Sequence, residues 1–251
     1  MKYTHRILQL LALFTMVPIL VVMVTESLKT HLIWYFRLVD FIDLLIIAPF
    51  YLVMLLLFYE VLIEEESPHY LRMCFFVFSG VFLYAHAMHV TANAINTFST
   101  EIRDYASVLP ADTYALIYFL DETLSHILAF ISLYGLFICL LIFENLYLDL
   151  SLRQWKATSS SMSVSLGVLY GVAQGIAFAE AGKVILVPFV VILTGGFWFW
   201  LWKRCWVPLA HFVRTGPVTA FIAGLLPGLL MTLLVYALIL RGFPQPSQLG
   251  F

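Results

Sequence analysis

The sequence predicts an all-α fold: a polytopic membrane helix bundle with seven transmembrane helices, one domain over residues 1–251, and a cytoplasmic N-terminus. Three observations carry that expectation. The chain is 63% hydrophobic and only 11% charged, where a soluble domain is about a quarter charged. Its mean hydropathy is +0.97. Its apolar residues gather in runs of about 18 or more, the length a helix needs to cross a bilayer.

The first run, Ile7–Thr25, follows Lys2 and Arg6 as the apolar core of a signal peptide would. It is long for one, and VVMVTESLK offers no small-x-small cleavage site, so it is expected to remain as span one. Further spans are expected at Val39–Ile63, Leu71–Phe98, Thr113–Phe143, Val164–Ala181, Val184–Trp202 and Val218–Leu240. The fourth exceeds what a bilayer requires, so it must tilt, break or run on. Its tail, Glu144–Lys156, alternates apolar and polar residues and is expected along the interface. Thr158–Ser163 (TSSSMS) reads as a flexible linker and Pro244–Phe251 as a frayed end.

Orientation follows from the basic residues on alternate sides. Lys2, Arg6, Arg72, Arg153, Lys156, Lys203, Arg204 and Arg214 fall on one side, eight against five on the other, which makes that side cytoplasmic. Gly167, Gly171 and Gly175 recur every four residues, a small-residue face suited to internal packing in preference to a dimer, with a homo-oligomer left open. Pro188 and Pro227 are expected to kink their helices. Cys74, Cys139 and Cys205 show no paired spacing and read as unpaired fillers. A net charge of −2 gives no electrostatic case for nucleic acid, and the expected partners are membrane lipids. The expected location is a bacterial inner (cytoplasmic) membrane.

Ionisable side chains inside a bilayer are costly, so those that occur there mark a functional site by default. Two neighbouring spans carry them. In FLYAHAMHVTANAIN (82–96), His86 and His89 share one helical face with Asn93; in YFLDETLSHILAF (118–130), Glu122, Ser125 and His126 share another. Counting about 1.5 Å per residue from the connecting loop puts His89 and Glu122 at roughly 14 Å, and His86 and His126 at roughly 18–20 Å. Depths match on adjacent antiparallel helices. His86, His89, Glu122 and His126 therefore make a candidate metal-ligand set, with Asn93, Ser125 and Tyr118 placed to orient the rings. The competing reading is that these groups only hydrogen-bond one another between helices. Asp40, Asp43, Gln174, Glu180 and Tyr236 fall in the same half and would extend a polar lining.

Such a set predicts a divalent metal, zinc in the first place, with iron or manganese also suited to the donors. A metal-bound water would be acidified, and Asp121 or Glu122 would take its proton, which predicts a metal-dependent hydrolase of a lipid or other membrane-resident substrate. Two alternatives remain: haem b held by His86 or His89 opposite His126, and an ion- or proton-coupled transporter. The latter expects polar groups to continue through the inner half, which is almost wholly apolar here.

Seven spans with histidines and acids are similar in architecture to alkaline ceramidases and adiponectin-receptor-like hydrolases, but the last span holds no histidine. FLYAH and HVTAN resemble short patterns of intramembrane prenyl-protein proteases, but both fall on one helix and EEESPHYLR lacks the E-E-x-x-x-R spacing. No G-x-S-G occurs, which sets aside a rhomboid-like serine protease.

Overall fold

The computed structural model describes residues 2–26, 32–33, 36–62, 67–97, 110–147 and 157–244. They form a helical bundle. Six helices are long and apolar enough to cross a membrane: α2 (Leu38–Val61), α3 (His69–Asn96), α4 (Ala111–Tyr147), α5 (Ser160–Glu180), α6 (Val184–Cys205) and α8 (Pro217–Leu240). The expected first span is helix α1 (Lys2–Glu26), which has a shorter apolar stretch, His5–Val21. It packs Ile7, Leu11 and Phe14 into the bundle, against α2 and α5. A short helix, α7 (Leu209–Phe212), joins α6 to α8. Between α1 and α2, Leu32–Ile33 (β1) pairs antiparallel with Phe36–Arg37 (β2).

Helix α4 is the axis. Sixty-one per cent of its apolar window is buried, against 22–44% for the other five, so a helix apolar all round lies where every face is covered. The excess length expected of span four is taken up within one long helix, whose regular ladder is interrupted by π turns at Phe119–Ser125 and Phe143–Tyr147.

Glycines set the tightest packing. Gly167 and Gly171 on α5 lie on the backbone carbonyls of Phe221 and Leu225, while Gly224 and Gly228 on α8 lie on those of Val164 and Val168. Gly175 meets Thr232 one turn further. A Cβ at any of these positions would collide with its neighbour, so the four-residue repeat serves packing within one chain.

Several local expectations are corrected. Thr158–Ser163 is helical, not linker, because Ser160 and Ser163 are buried and the Ser160 hydroxyl donates to the Val213 carbonyl at 3.2 Å. The expected interfacial tail begins inside the bundle: α4 runs on to Tyr147 and buries Glu144 completely; residues 148–156 lie outside the described part. The Glu144 carboxylate caps α8, accepting from the N–H groups of Val218 (2.9 Å) and Thr219 (2.7 Å) and from the Thr219 hydroxyl (2.7 Å). A helix N-terminus presents unpaired N–H groups and positive partial charge, which is what makes an anion tolerable there. Pro188 starts α-helical geometry in α6 after a 3-10 turn at Val184–Leu186, a position where its missing N–H costs nothing. Tyr236 lines no polar cleft; its hydroxyl donates to the Pro244 carbonyl at 2.8 Å and its ring stacks on Phe243. The three cysteines are free, as expected.

Candidate functional site

Two of the π turns lie at the polar spans themselves. One occupies Asp43–Ile47 in α2 and one Phe119–Ser125 in α4. A π turn widens the helix by one residue, leaves carbonyls open to other donors, and is frequent at functional sites. In α4 it matters for register. A regular helix stacks Glu122 over His126 at i,i+4, whereas an i,i+5 turn brings Asp121 over it instead. Asp121 and Ser125 are accordingly buried, and Glu122 is half-buried.

Asp121 holds two histidines. Its Oδ1 lies 2.8 Å from His89 Nδ1 across the α3–α4 interface, close in distance but off the line of a hydrogen bond. Its backbone carbonyl lies 3.1 Å from His126 Nδ1, so that nitrogen donates, and the Ser125 hydroxyl donates to the same carbonyl. The His89 and His126 rings meet edge to face with centroids 4.7 Å apart. The depth count placed His126 level with His86, whereas the ring it meets is that of His89.

His86 lies one turn away and faces α2. Its ring meets Tyr51 edge to face at 5.7 Å, and its Nε2 is buried without a hydrogen-bond partner. Asp43, at the start of the α2 π turn, is within electrostatic range of both His86 and His89. One turn further out, Asn93 Nδ2 donates to Asp40 Oδ1 at 2.8 Å, and Asp40 Oδ2 is buried without a partner. The polar stripe of α3 thus faces two carboxylates on α2 and one on α4. Asn93, expected to orient a histidine ring, orients Asp40 instead, because α2 packs on that side of the stripe. Tyr118 is exposed on α4, with no contact to a histidine ring among the described residues. Ser125 stands where expected, 3.5 Å from His126 Nδ1.

The structure brings together His89, His126, Asp121 and Ser125, and leaves His86 and Glu122 at the margins. Among the described residues no three His, Cys, Asp or Glu side chains converge closely enough to share one metal ion. Two contributors carried little weight in the sequence: Asp43, which read only as part of a wider polar lining, and Lys183, which stands in the α5–α6 turn within electrostatic range of Glu122 and His126.

An aromatic floor closes the site on its inner side. His126 abuts Phe130, which stacks on Phe178 with centroids 3.8 Å apart and planes 16° from parallel. Beyond it Tyr134, Phe137, Tyr170, Phe221 and Phe14 pack as one buried cluster.

Comparison with known proteins gives no matching family model, no matching curated protein and no matching solved structure.

Proposed function

We propose that this chain is a membrane-embedded, metal-dependent enzyme that hydrolyses an ester or amide bond in a lipid or another membrane-resident substrate. The observation that carries the reading is the double engagement of Asp121. One oxygen of its side chain lies beside His89 Nδ1, and its carbonyl accepts from His126 Nδ1, which leaves Nε2 of His126 as the lone-pair nitrogen. Metal-binding histidines are held in this way, with the far nitrogen fixed by a carboxylate or a backbone carbonyl.

His86, whose Nε2 is unpartnered, and Glu122 complete the shell by side-chain rotation about a bound ion. Imidazole nitrogen with one carboxylate suits zinc best, and iron or manganese next. Such an ion would supply an acidified water and polarise the substrate carbonyl. With Glu122 on the ion, Asp121 would take the water's proton and return it to the leaving group; with Glu122 off the ion, Glu122 would do so. The aromatic floor supports a site open to one side in preference to a conduit, because an ion crossing the bundle would have to pass Phe130 and Phe178.

Metal content of the detergent-purified protein tests this, together with its visible spectrum. About one zinc, iron or manganese per chain is expected, lost in His126→Ala while the protein remains inserted and helical. A Soret band would replace the reading with haem binding, and a metal-free protein that takes up no added zinc would end it.

A further inference from the structure

The far end of α6 reads FWFWLWKRCW, and its two cations rest on rings, not on acids. Lys203 Nζ lies 4.7 Å from the Trp202 ring centre and 5.4 Å from that of Phe199; Arg204 Cζ lies 5.4 Å from that of Trp200. Among the described residues neither cation pairs with a carboxylate, and both side chains are exposed. Trp206 beyond them is 93% exposed at a left-handed turn that ends the helix. Cation–π shelving leaves ammonium and guanidinium N–H groups directed outward, available to an anion.

An apolar groove of about 480 Å³ opens beside this corner, between α6, α7 and α8. Phe199 belongs to both features: one side of the residue lines the groove and its ring carries Lys203. Leu209 and Val213 wall the near end, and Gly195, Leu226 and Pro227 the far end. Gly195 to Lys203 is about 12 Å along the helix, so the groove descends from the charged corner toward the middle of the span. Its volume is that of a ligand site, which for drug-sized ligands is about 300–1,000 Å³.

We propose that this corner binds one anionic glycerophospholipid, its phosphate on Lys203 and Arg204 and an acyl chain in the α6–α8 groove. Charge complementarity chooses the headgroup, and the continuity of groove and cations through Phe199 separates a seat for one molecule from an aromatic belt that touches many. The site is at the opposite end of the bundle from the histidine cluster and does not depend on what that cluster does.

The test uses delipidated full-length protein exposed to mixed vesicles of equal phosphatidylglycerol and phosphatidylcholine, with retained lipid counted after repurification. Wild type should keep about one phosphatidylglycerol per chain, favoured about tenfold or more over phosphatidylcholine. Lys203→Gln with Arg204→Gln should cut that preference to about threefold or less; both residues are exposed, so folding is not at stake. Gly195→Leu, which fills the groove toward Leu226, should lower retention of the bound lipid with the cations intact. Equal retention of the two lipids by wild type, a preference that survives the double charge variant, or indifference to Gly195→Leu would each overturn the proposal.

Discussion

The Glu144 carboxylate accepts both the backbone N–H and the hydroxyl of Thr219, 75 residues along the chain, and so ties the inner end of α4 to the first turn of α8. Asn145 adds a second strand to the tie, donating from Nδ2 to Thr219 Oγ1 at 2.9 Å. A buried charge is tolerated here because it accepts the backbone N–H groups of Val218 and Thr219, which a helix N-terminus would otherwise leave without a helical partner. Removing it strands those donors. Glu144→Ala should lower stability by about 3 kcal/mol or more, read as a lower thermal midpoint in detergent. A midpoint unchanged from wild type would mean that the cap contributes little.

Gly216 is bound to the same arrangement, since the Glu144 carboxylate occupies the place of its missing Cβ. Gly216→Ala should therefore destabilise, and the cost should shrink when Glu144→Ala is already present. The cycle should give a coupling of about 0.5–3 kcal/mol. Additive effects would show that the two positions act independently.

On the α5–α8 seam, Gly171 faces the Leu225 carbonyl and the Leu229 N–H side of α8 with no room for a side chain. Gly171→Leu should cost at least the 1–3 kcal/mol typical of overpacking, whereas Gly196→Leu, where a Cβ meets nothing within 4 Å, should be close to neutral. Comparable losses at both sites, measured by chemical unfolding, would contradict backbone-to-backbone packing.

Much of this was legible in the sequence, for reasons particular residues show. Apolar runs gave the long helices because the bilayer dictates their length, and the three- and four-residue spacing of His86, His89 and Asn93 gave the stripe on α3. Counting from the loop ends then put His89 level with the acidic turn of α4. What could not be read was the π turn. Regular periodicity assigns Glu122 to the face of His126, and only the inserted residue brings Asp121 over that ring. Glu144 escaped for a different reason: its partners are remote in sequence, so locally it looks like an interfacial acid. Asn93 was placed correctly on its helix and given the wrong partner, because the spacing shows which face is polar and not which neighbour covers it.

The central claim is that His89 and His126 offer their Nε2 atoms to one divalent ion, with His126 held by the Asp121 carbonyl and His89 beside the Asp121 carboxylate. Cobalt(II) titration of the metal-free protein in detergent tests it most directly, because cobalt occupies zinc-type sites and reports nitrogen and oxygen ligation through its visible d–d bands. One equivalent should bind with such bands, and His89→Ala and His126→Ala should each abolish them, whereas the exposed Tyr118→Phe should leave them intact. Absence of stoichiometric binding by the wild-type protein, or bands that persist unchanged in both histidine variants, would contradict the account.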